Sequence, residues 1–419
     1  MSKRVCVIGL GYIGLPTAAF LADNGFDVTG VDVNTEVIDI INNGSAHIVE
    51  PKLDELVKKV VESNNLIASI NPVSSDVYII AVPTPFHESS DKKTPEPNIN
   101  FVKEAVLNIA PYLKIGDLVI LESTSPIGTT ELIRELLKET RDDLNFSDDF
   151  FGFSDINIAH CPERVIPGNV LFELKNNDRV LGGLTYACSE KAANFYNSFI
   201  NGKCLTTNSK TAEMTKLVEN SSRDVQIAFA NELSMICDNL DINVWELISL
   251  ANHHPRVNIL NPGPGVGGHC IAVDPWFLVY ADPHNSKIIK QARYINDSKP
   301  NWVVKKIIEQ IQNLQNDNDS LNIEDINICI YGLTFKPDID DIRESPAIQI
   351  AEEILRIHNG KTFFVEPNLT EVVLNNKKYK TINEPLNDID IHIMLVDHKE
   401  FKEFKPLDGL IIDTRGIWQ

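Results

Sequence analysis

Hydrophobic positions fall into two kinds of stretch in the first half of the chain. Short stretches rich in β-branched and aliphatic residues occupy 4–8, 28–32, 77–82, 118–121 and 156–159. Each predicts a buried strand, because a strand covered on both faces needs no polar alternation. Between them, residues 16–24, 101–112 and 130–140 carry apolar positions at helical spacing. Strands alternating with helices predict a parallel sheet with helices on both faces.

The pattern then changes. Residues 211–240 read as one long helix with few breakers, and 244–252 as a shorter one. Asn261-Pro-Gly-Pro-Gly-Val-Gly-Gly-His-Cys270 follows, a cluster of breakers that no regular element tolerates. The chain is helical again to about residue 313, and the polar stretch 315–322 predicts an exposed loop. Further strands are predicted at 326–331, 363–365, 391–395 and 410–412. The expectation is an α/β protein of three parts: an α/β domain over 1–207, a central helical domain over 208–313 and a second α/β domain over 314–419. With α/β at both ends, a loose duplication at the scale of whole domains is one reading.

A length of 419 residues agrees with several domains, being too long for one compact core. The formal net charge of −21 disfavours nucleic acid or an anionic membrane as partner, since both require a basic face. An anionic small molecule remains compatible, because a few local cations outweigh the global field. The cysteines, Cys6, Cys161, Cys188, Cys204, Cys237, Cys270 and Cys329, are scattered and never form a C-x-x-C pair. That usage fits a reducing compartment. No His, Cys, Asp or Glu group has zinc-ligand spacing, so no metal is expected. Lys3 and Arg4 before an apolar run superficially resemble a signal peptide, but the glycines inside the run fit a better pattern. No stretch is long and apolar enough to span a bilayer, and the cytoplasm is the expected location.

That better pattern is Gly9-Leu10-Gly11-Tyr12-Ile13-Gly14, which leaves a strand and opens a helix. Gly9 would allow the tight turn, Gly11 the approach of a pyrophosphate, and Gly14 close packing of helix on sheet. Tyr12 and Ile13 sit where the helix N-terminus presents its N–H groups to phosphate. Asp32 closes the next strand, where a carboxylate accepts from a ribose 2′-hydroxyl and repels a 2′-phosphate, favouring NAD over NADP. Thr84 and Thr124 lie just past two later strands. They face a ligand, or they serve turn chemistry; position alone does not decide.

Cys270 is the candidate nucleophile. It follows a glycine-rich loop suited to close ligand approach, and a helix starting nearby would favour the thiolate. The alternative is a buried small hydrophobe, the usual fate of a free cysteine. Asp274 lies four residues on and in a helix would share its face. His269 is adjacent and would not, so a Cys–His pair is not expected. Cys161 is the rival thiol and reads as packing. Lys216 and Asn220, four apart on the long helix with Arg223 beyond, offer donors to an oxyanion or form a solvated helix face.

These residues sit in longer matching stretches: residues 8–16, 47–51, 121–126, 161–168, 177–179, 211–217, 254–259, 262–275, 335–337 and 343–346. Through them the chain resembles the UDP-glucose/GDP-mannose dehydrogenase family along nearly its whole length. The resemblance implies an N-terminal Rossmann domain that binds NAD, a central long-helix dimerisation region and a C-terminal Rossmann-like UDP-binding domain. It implies Cys270 as nucleophile, Lys216 and Asn220 as the oxyanion pair, and Asp274 as the group orienting Lys216 and water. Thr124 and Glu163 fall on positions contacting water or cofactor, and Arg164 and Val165 continue that substrate-contacting stretch. Arg343 and Lys336 reach nucleotide phosphates, with Phe335, Gly267 and Asn258 beside the substrate. Arg256 resembles an arginine lent across a homodimer interface. One departure bears on the sugar: Pro167 stands where the UDP-glucose branch has a second glutamate. That is typical of the N-acetylhexosamine branch, so the implied substrate is a UDP-N-acetylhexosamine, oxidised at C6 by two NAD in turn for surface polysaccharide. Two other classes stay open: a two-electron hydroxy-acid dehydrogenase, which needs no Cys270, and a non-catalytic sensor of NAD or nucleotide sugar.

Overall fold

The computed structural model describes residues 3–87, 95–268, 270–317, 322–384, 386 and 389–418. Its contacts separate into two units, Met1–Glu219 with Tyr280–Asp282, and Asn220–Val279 with Pro283–Gln419.

In the first unit β1 (Arg4–Ile8), β2 (Asp27–Val31), β3 (Leu66–Ser69), β4 (Val77–Ile80), β5 (Leu118–Leu121), β6 (Asn157–His160), β7 (Arg179–Gly183) and β8 (Cys204–Asn208) form one sheet. Its order is β3-β2-β1-β4-β5-β6-β7-β8, parallel except between β6 and β7. The helices are α1 (Gly14–Asp23), α2 (Thr35–Asn42), α3 (Leu53–Glu62), α4 (Asn100–Ile109), α5 (Thr129–Thr140), α6 (Val170–Asn176) and α7 (Tyr186–Tyr196). Alternate strand residues feed two cores. Val5, Val7, Ile79 and Ile120 pack with α1, α3, α6 and α7, whereas Cys6, Ile8, Tyr78 and Val119 pack with α4 and α5. The order of successive strands reverses between β1 and β4, the place where doubly wound sheets bind ligands.

The long α8 (Ser209–Asn239) crosses the boundary between the units. After it come α9 (Val244–Ala251), α10 (Asp274–Ala281) and α11 (Lys287–Asp317). A second parallel sheet, in the order β10-β9-β13-β14, consists of β9 (Ile328–Tyr331), β10 (Thr362–Val365), β13 (Ile391–Met394) and β14 (Leu410–Asp413). The hairpin β11 (Glu371–Leu374) and β12 (Lys377–Lys380) stands apart from it. One face of the second sheet packs on α11 and α12 (Pro346–Ile357), and the other closes over Tyr331, Phe401 and Trp418.

The expected strands are present with ends shifted by a residue or two. β3, β7 and β8 were not among the expected strands: β3 and β8 are sheet edges, β8 with no buried residue, whereas β7 is a largely buried inner strand that ends in two glycines. The loop expected at 315–322 is corrected at its start: α11 continues through Asp317, since a helix already nucleated extends through polar residues. Residues 318–321 lie outside the described residues.

The glycine turn has two different demands. An ideal Cβ on Gly14 would stand 1.7 Å from the Gly9 carbonyl oxygen, whereas one on Gly11 would meet no protein atom within 4 Å. Gly14→Ala is expected to lose roughly 3 kcal/mol as α1 is forced off the sheet, and Gly11→Ala to stay within about 0.5 kcal/mol. Thermal unfolding of the two variants checks this, and equal midpoints would contradict it.

Candidate active site

At the switch point Gly9 adopts a left-handed φ of 91°, and the N–H of Leu10 donates to Asp32 Oδ2 at 2.9 Å. Asp32 Oδ1 accepts from the N–H of Asn34 at 2.9 Å and caps the next turn. Half-buried, Asp32 is fixed where the resemblance puts a ribose. α1 begins with no side-chain cap and no acidic residue in its first turn, which suits a phosphate at its N-terminus. The open space over Gly11 fits a pyrophosphate in close approach. These residues fit NAD: backbone for phosphate, a carboxylate for ribose.

Beyond β4 and β5, the Thr84 hydroxyl donates to the Thr124 carbonyl at 2.5 Å. The two strand-end threonines are therefore neighbours, with the Thr84 hydroxyl proton engaged in the turn. Behind them is a buried charge cluster. Arg179 Nη1 is 3.2 Å from Glu163 Oε2 and 3.9 Å from Glu122 Oε1. The Tyr196 hydroxyl donates to Glu122 Oε1 at 2.6 Å. One guanidinium cannot neutralise two buried carboxylates. Glu163 is the nearer of the two. Burial, with Glu163 repelling and Arg179 only partly compensating, raises Glu122 to about 7. Glu163 Oε1 also accepts from the Arg164 N–H at 2.6 Å, and Arg164 pairs with Glu219 on α8 at 2.8 Å. Val165 packs against the first core. Lys216, on the same helix, is half-buried.

In the second unit Cys270 alone of the seven cysteines is exposed, whereas Cys161 is fully buried with its thiol pushed up to about 12 by burial. Cys161 packs, as expected. Cys270 is not on a helix face shared with Asp274. It precedes α10, and its carbonyl accepts from the N–H groups of Val273 at 3.1 Å and Asp274 at 2.9 Å. The turn leads directly into the helix that Asp274 opens. Asp274 is buried and accepts from Asn220 Nδ2 at 2.5 Å. His269 lies outside the described residues.

The loop before Cys270 is held by a polar stripe along α8. Asn231 Oδ1 accepts from the Gly263 N–H at 2.9 Å, and its Nδ2 donates to Asn296 Oδ1 at 2.9 Å. Asn296 Nδ2 donates to Asp224 Oδ1 at 2.8 Å, and Arg293 Nη1 pairs with the same oxygen at 2.6 Å. Arg293 Nη1 also lies 3.5 Å from the Ile271 carbonyl, one residue past the thiol. The loop's other side meets residues 335–346. A Cβ on Gly267 would fall 2.4 Å from the Glu344 carbonyl and 2.9 Å from Phe335, and Gly268 donates to the Arg343 carbonyl at 3.3 Å. Gly267, Phe335 and the Arg343 backbone are thus brought together. Lys336 and Arg343 are exposed beside them, the latter paired with Asp341 at 2.6 Å. Arg256 and Asn258 lie in an exposed loop that Asn252 and Ile259 pin by two hydrogen bonds.

Comparison with known proteins covers the whole chain. Residues 3–200, 210–298 and 329–419 match, in turn, the NAD binding domain, the central domain and the UDP binding domain of the UDP-glucose/GDP-mannose dehydrogenase family. The chain belongs to that family. It is 52% identical over 423 residues to the UDP-N-acetyl-D-mannosamine dehydrogenase of Yersinia pestis, covering 100% of this chain and 99% of that protein. It is 53% identical over 406 residues to the enzyme of the same name from Campylobacter jejuni, covering 96% and 97%. The structure of a UDP-N-acetyl-mannosamine dehydrogenase from S. aureus superimposes with a TM-score of 0.84 at 41% identity, covering 100% of this chain and 96% of that one.

Membership of the dehydrogenase family makes the chain an NAD-dependent UDP-sugar oxidoreductase with an NAD-binding first domain and a UDP-binding last one. Sequence reasoning missed Glu122, Tyr196, Asp224, Asn231, Arg293 and Asn296. Polar residues on a helix pattern read as its solvated face. The signal was available: Asn220, Asp224, Asn231 and Ser234 recur at heptad-like spacing, opposite Arg293, Asn296 and Lys299.

The raised Glu122 fixes a stability trend. The native state holds that proton up to about pH 7, and the unfolded chain loses it near 4.5. The contribution of Glu122 to stability therefore falls across this window and levels above it. Glu122→Gln lacks the titration. Its melting midpoint relative to wild type should rise between pH 4.5 and about 7 and then stay constant. A difference independent of pH would contradict the assignment.

Proposed function

We propose that this chain oxidises the C6 alcohol of UDP-N-acetyl-D-mannosamine to the carboxylate, with Cys270 as covalent nucleophile. The supporting observation is the agreement of two relatives above 50% identity, both bearing that activity in their names, over nearly all of both chains. The exposed thiol on an anchored glycine loop supports the covalent step.

NAD, when bound, supplies the hydride acceptor in each of two rounds. The remaining work belongs to this chain's own groups. Glu163, fixed by Arg179, and Thr124 orient water and the reacting end of the sugar. The Cys270 thiolate adds to the aldehyde carbon, forming the C–S bond, and Lys216 and Asn220 donate to the oxyanion. After the second oxidation the thioester is cleaved by water, which restores the thiol and leaves the acid. Asp274, already bonded to Asn220, positions that donor. Gly9, Gly11, Tyr12, Ile13, Gly14, Asp32 and Thr84 hold the cofactor, with Arg343 reaching its phosphates. Arg164, Val165, Asn258, Gly267, Phe335 and Lys336 hold the nucleotide sugar.

The working parts divide at 1–207, 208–313 and 314–419, with the central part building a homodimer and Arg256 reaching the neighbouring substrate. The enzyme works in the cytoplasm, where its NAD and UDP-sugar are found; among the described residues no helix is long and apolar enough to cross a membrane. A second reading has one observation behind it: a relative from Ralstonia nicotianae, 48% identical over 421 residues, is named NDP-N-acetyl-D-galactosaminuronic acid dehydrogenase. Another 2-acetamido sugar is then the substrate and the chemistry is unchanged.

Purified protein given NAD and UDP-N-acetylmannosamine should yield two NADH per uronic acid, and little with the gluco or galacto epimer. Cys270→Ala should lose acid formation by about 1,000-fold or more while still binding NAD. One NADH per product, or full acid yield from that variant, would sink the covalent mechanism.

A further inference from the structure

The two α/β domains share a device at the ends of their first two strands. In the first, β1 is followed by Gly9 at φ 91°, and Leu10 N–H donates to Oδ2 of Asp32, the residue after β2. In the second, β9 is followed by Gly332 at φ 84°, and Leu333 N–H donates at 2.7 Å to Oε2 of Glu366, the residue after β10. In both, the acid's other oxygen accepts from the N–H two residues on: Asn34 at 2.9 Å, Asn368 at 3.0 Å.

The copies differ in what covers the acid. Asp32 is half-buried, open to a ribose. Glu366 is fully buried, and so is His398, whose Nε2 lies 3.1 Å from Glu366 Oε2. His398 Nδ1 accepts from the Asp338 N–H at 2.9 Å and faces Asn368 Nδ2 at 3.1 Å. Both neighbours are donors, so Nδ1 carries no proton, and Nε2 donates to Glu366. Glu366 thus accepts from Leu333 N, His398 Nε2, Asn368 N and Asn368 Nδ2. Burial pushes its carboxyl up, but these donors more than offset it and hold the group below its ordinary range. Only a carboxylate meets four donors without opposing a donor to a donor.

This pair has taken the ribose position of a dinucleotide fold and turned it inward, onto the loop that follows β9. Leu333 is tied to Glu366 and Asp338 to His398. Lys399 N–H adds a bond to Asp338 Oδ1 at 3.0 Å, and the Thr334 hydroxyl donates to the Lys336 carbonyl at 2.9 Å. Asp338 itself is left-handed at φ 62°, a conformation these bonds stabilise. Between the two ties lie Phe335 and Lys336.

We propose that Glu366 and His398 are positioning residues for the nucleotide half of the substrate, setting the loop that presents Phe335 and Lys336. This rests on the reading that the loop receives the UDP-sugar. Removing His398 frees the Asp338 tie, so the loop must be ordered at the moment of binding. The cost falls on capture of the UDP-sugar, not on the NAD site or on chemistry at Cys270.

The test is steady-state kinetics on the full chain with His398→Ala, Lys336→Ala and the double variant. His398→Ala should raise KM for the UDP-sugar roughly tenfold, with kcat and the KM for NAD within about twofold. Because Lys336 acts through the same loop, its removal should cost much less in the His398→Ala background than in wild type. His398→Gln keeps one acceptor and one donor and should recover part of the loss; it carries the same cycle if the alanine variant folds poorly. Equal costs of Lys336→Ala in both backgrounds, or an equal rise in the KM for NAD, would overturn the positioning role. No effect of Lys336→Ala in wild type would instead remove the nucleotide-loop reading, and this inference with it.

Discussion

The position of the candidate thiol, Cys270, depends on a buried polar stripe between α8 and α11. The loop before Cys270 is rich in glycine, with Pro262 and Pro264 as its buried apolar side chains, so apolar packing alone defines little of its path. Hydrogen bonds define the rest. Asn220 reaches Asp274, Asp224 reaches Arg293 and Asn296, and Asn231 takes the Gly263 N–H. Burying a charge pair is costly, and apolar residues of the same volume would serve stability as well. What the polar stripe adds is direction: it holds α8 against α10 and α11 and, through Asn231 at the Gly263 N–H and Arg293 at the Ile271 carbonyl, fixes the chain on either side of Cys270. A helix four turns long or more, as α8 is, supplies a rigid ruler for such a stripe.

The same logic of strand ends operates in both α/β domains. Parallel strands place the N–H groups of glycine turns at one edge of the sheet, and an acid on the neighbouring strand ties that turn down. In the first domain the acid remains open and the fold binds NAD. In the second it is closed over by a histidine, and the dinucleotide device becomes a support for a loop. Deeper in the first domain, Arg179 divides its charge between two carboxylates at unequal distances. The nearer is held as an ion pair, and burial raises the farther to about 7, so one buried cation positions Glu163 beside a second acid shifted toward its neutral form.

Most of the fold was legible because buried parallel strands announce themselves as aliphatic runs. The first glycine turn, Asp32 and the long helix all lie where the pattern put them. Edge strand β8 was not legible, since solvent removes the need for an apolar run; β3, with only Leu66-Ile67-Ala68, and β7, which ends in two glycines, carry runs too short to stand out. The candidate nucleophile was visible only as a cysteine after glycines, with packing an equal alternative; its exposure and turn geometry are products of the tertiary fold. The supports beneath the site were hidden for a physical reason. Asp224, Arg293, Glu122 and His398 are polar residues at buried positions, and a single sequence does not reveal which polar residues have found each other. The loose duplication suggested by two α/β ends acquires substance in the matched ties at Leu10 and Leu333.

The most direct test of the covalent account is to quench the enzyme in acid during turnover with UDP-N-acetylmannosamine and NAD, then map adducts by peptide mass. The account predicts a sugar-nucleotide acyl adduct on the peptide containing Cys270. An adduct on another cysteine, or turnover with unmodified Cys270 at every quench time, would contradict it.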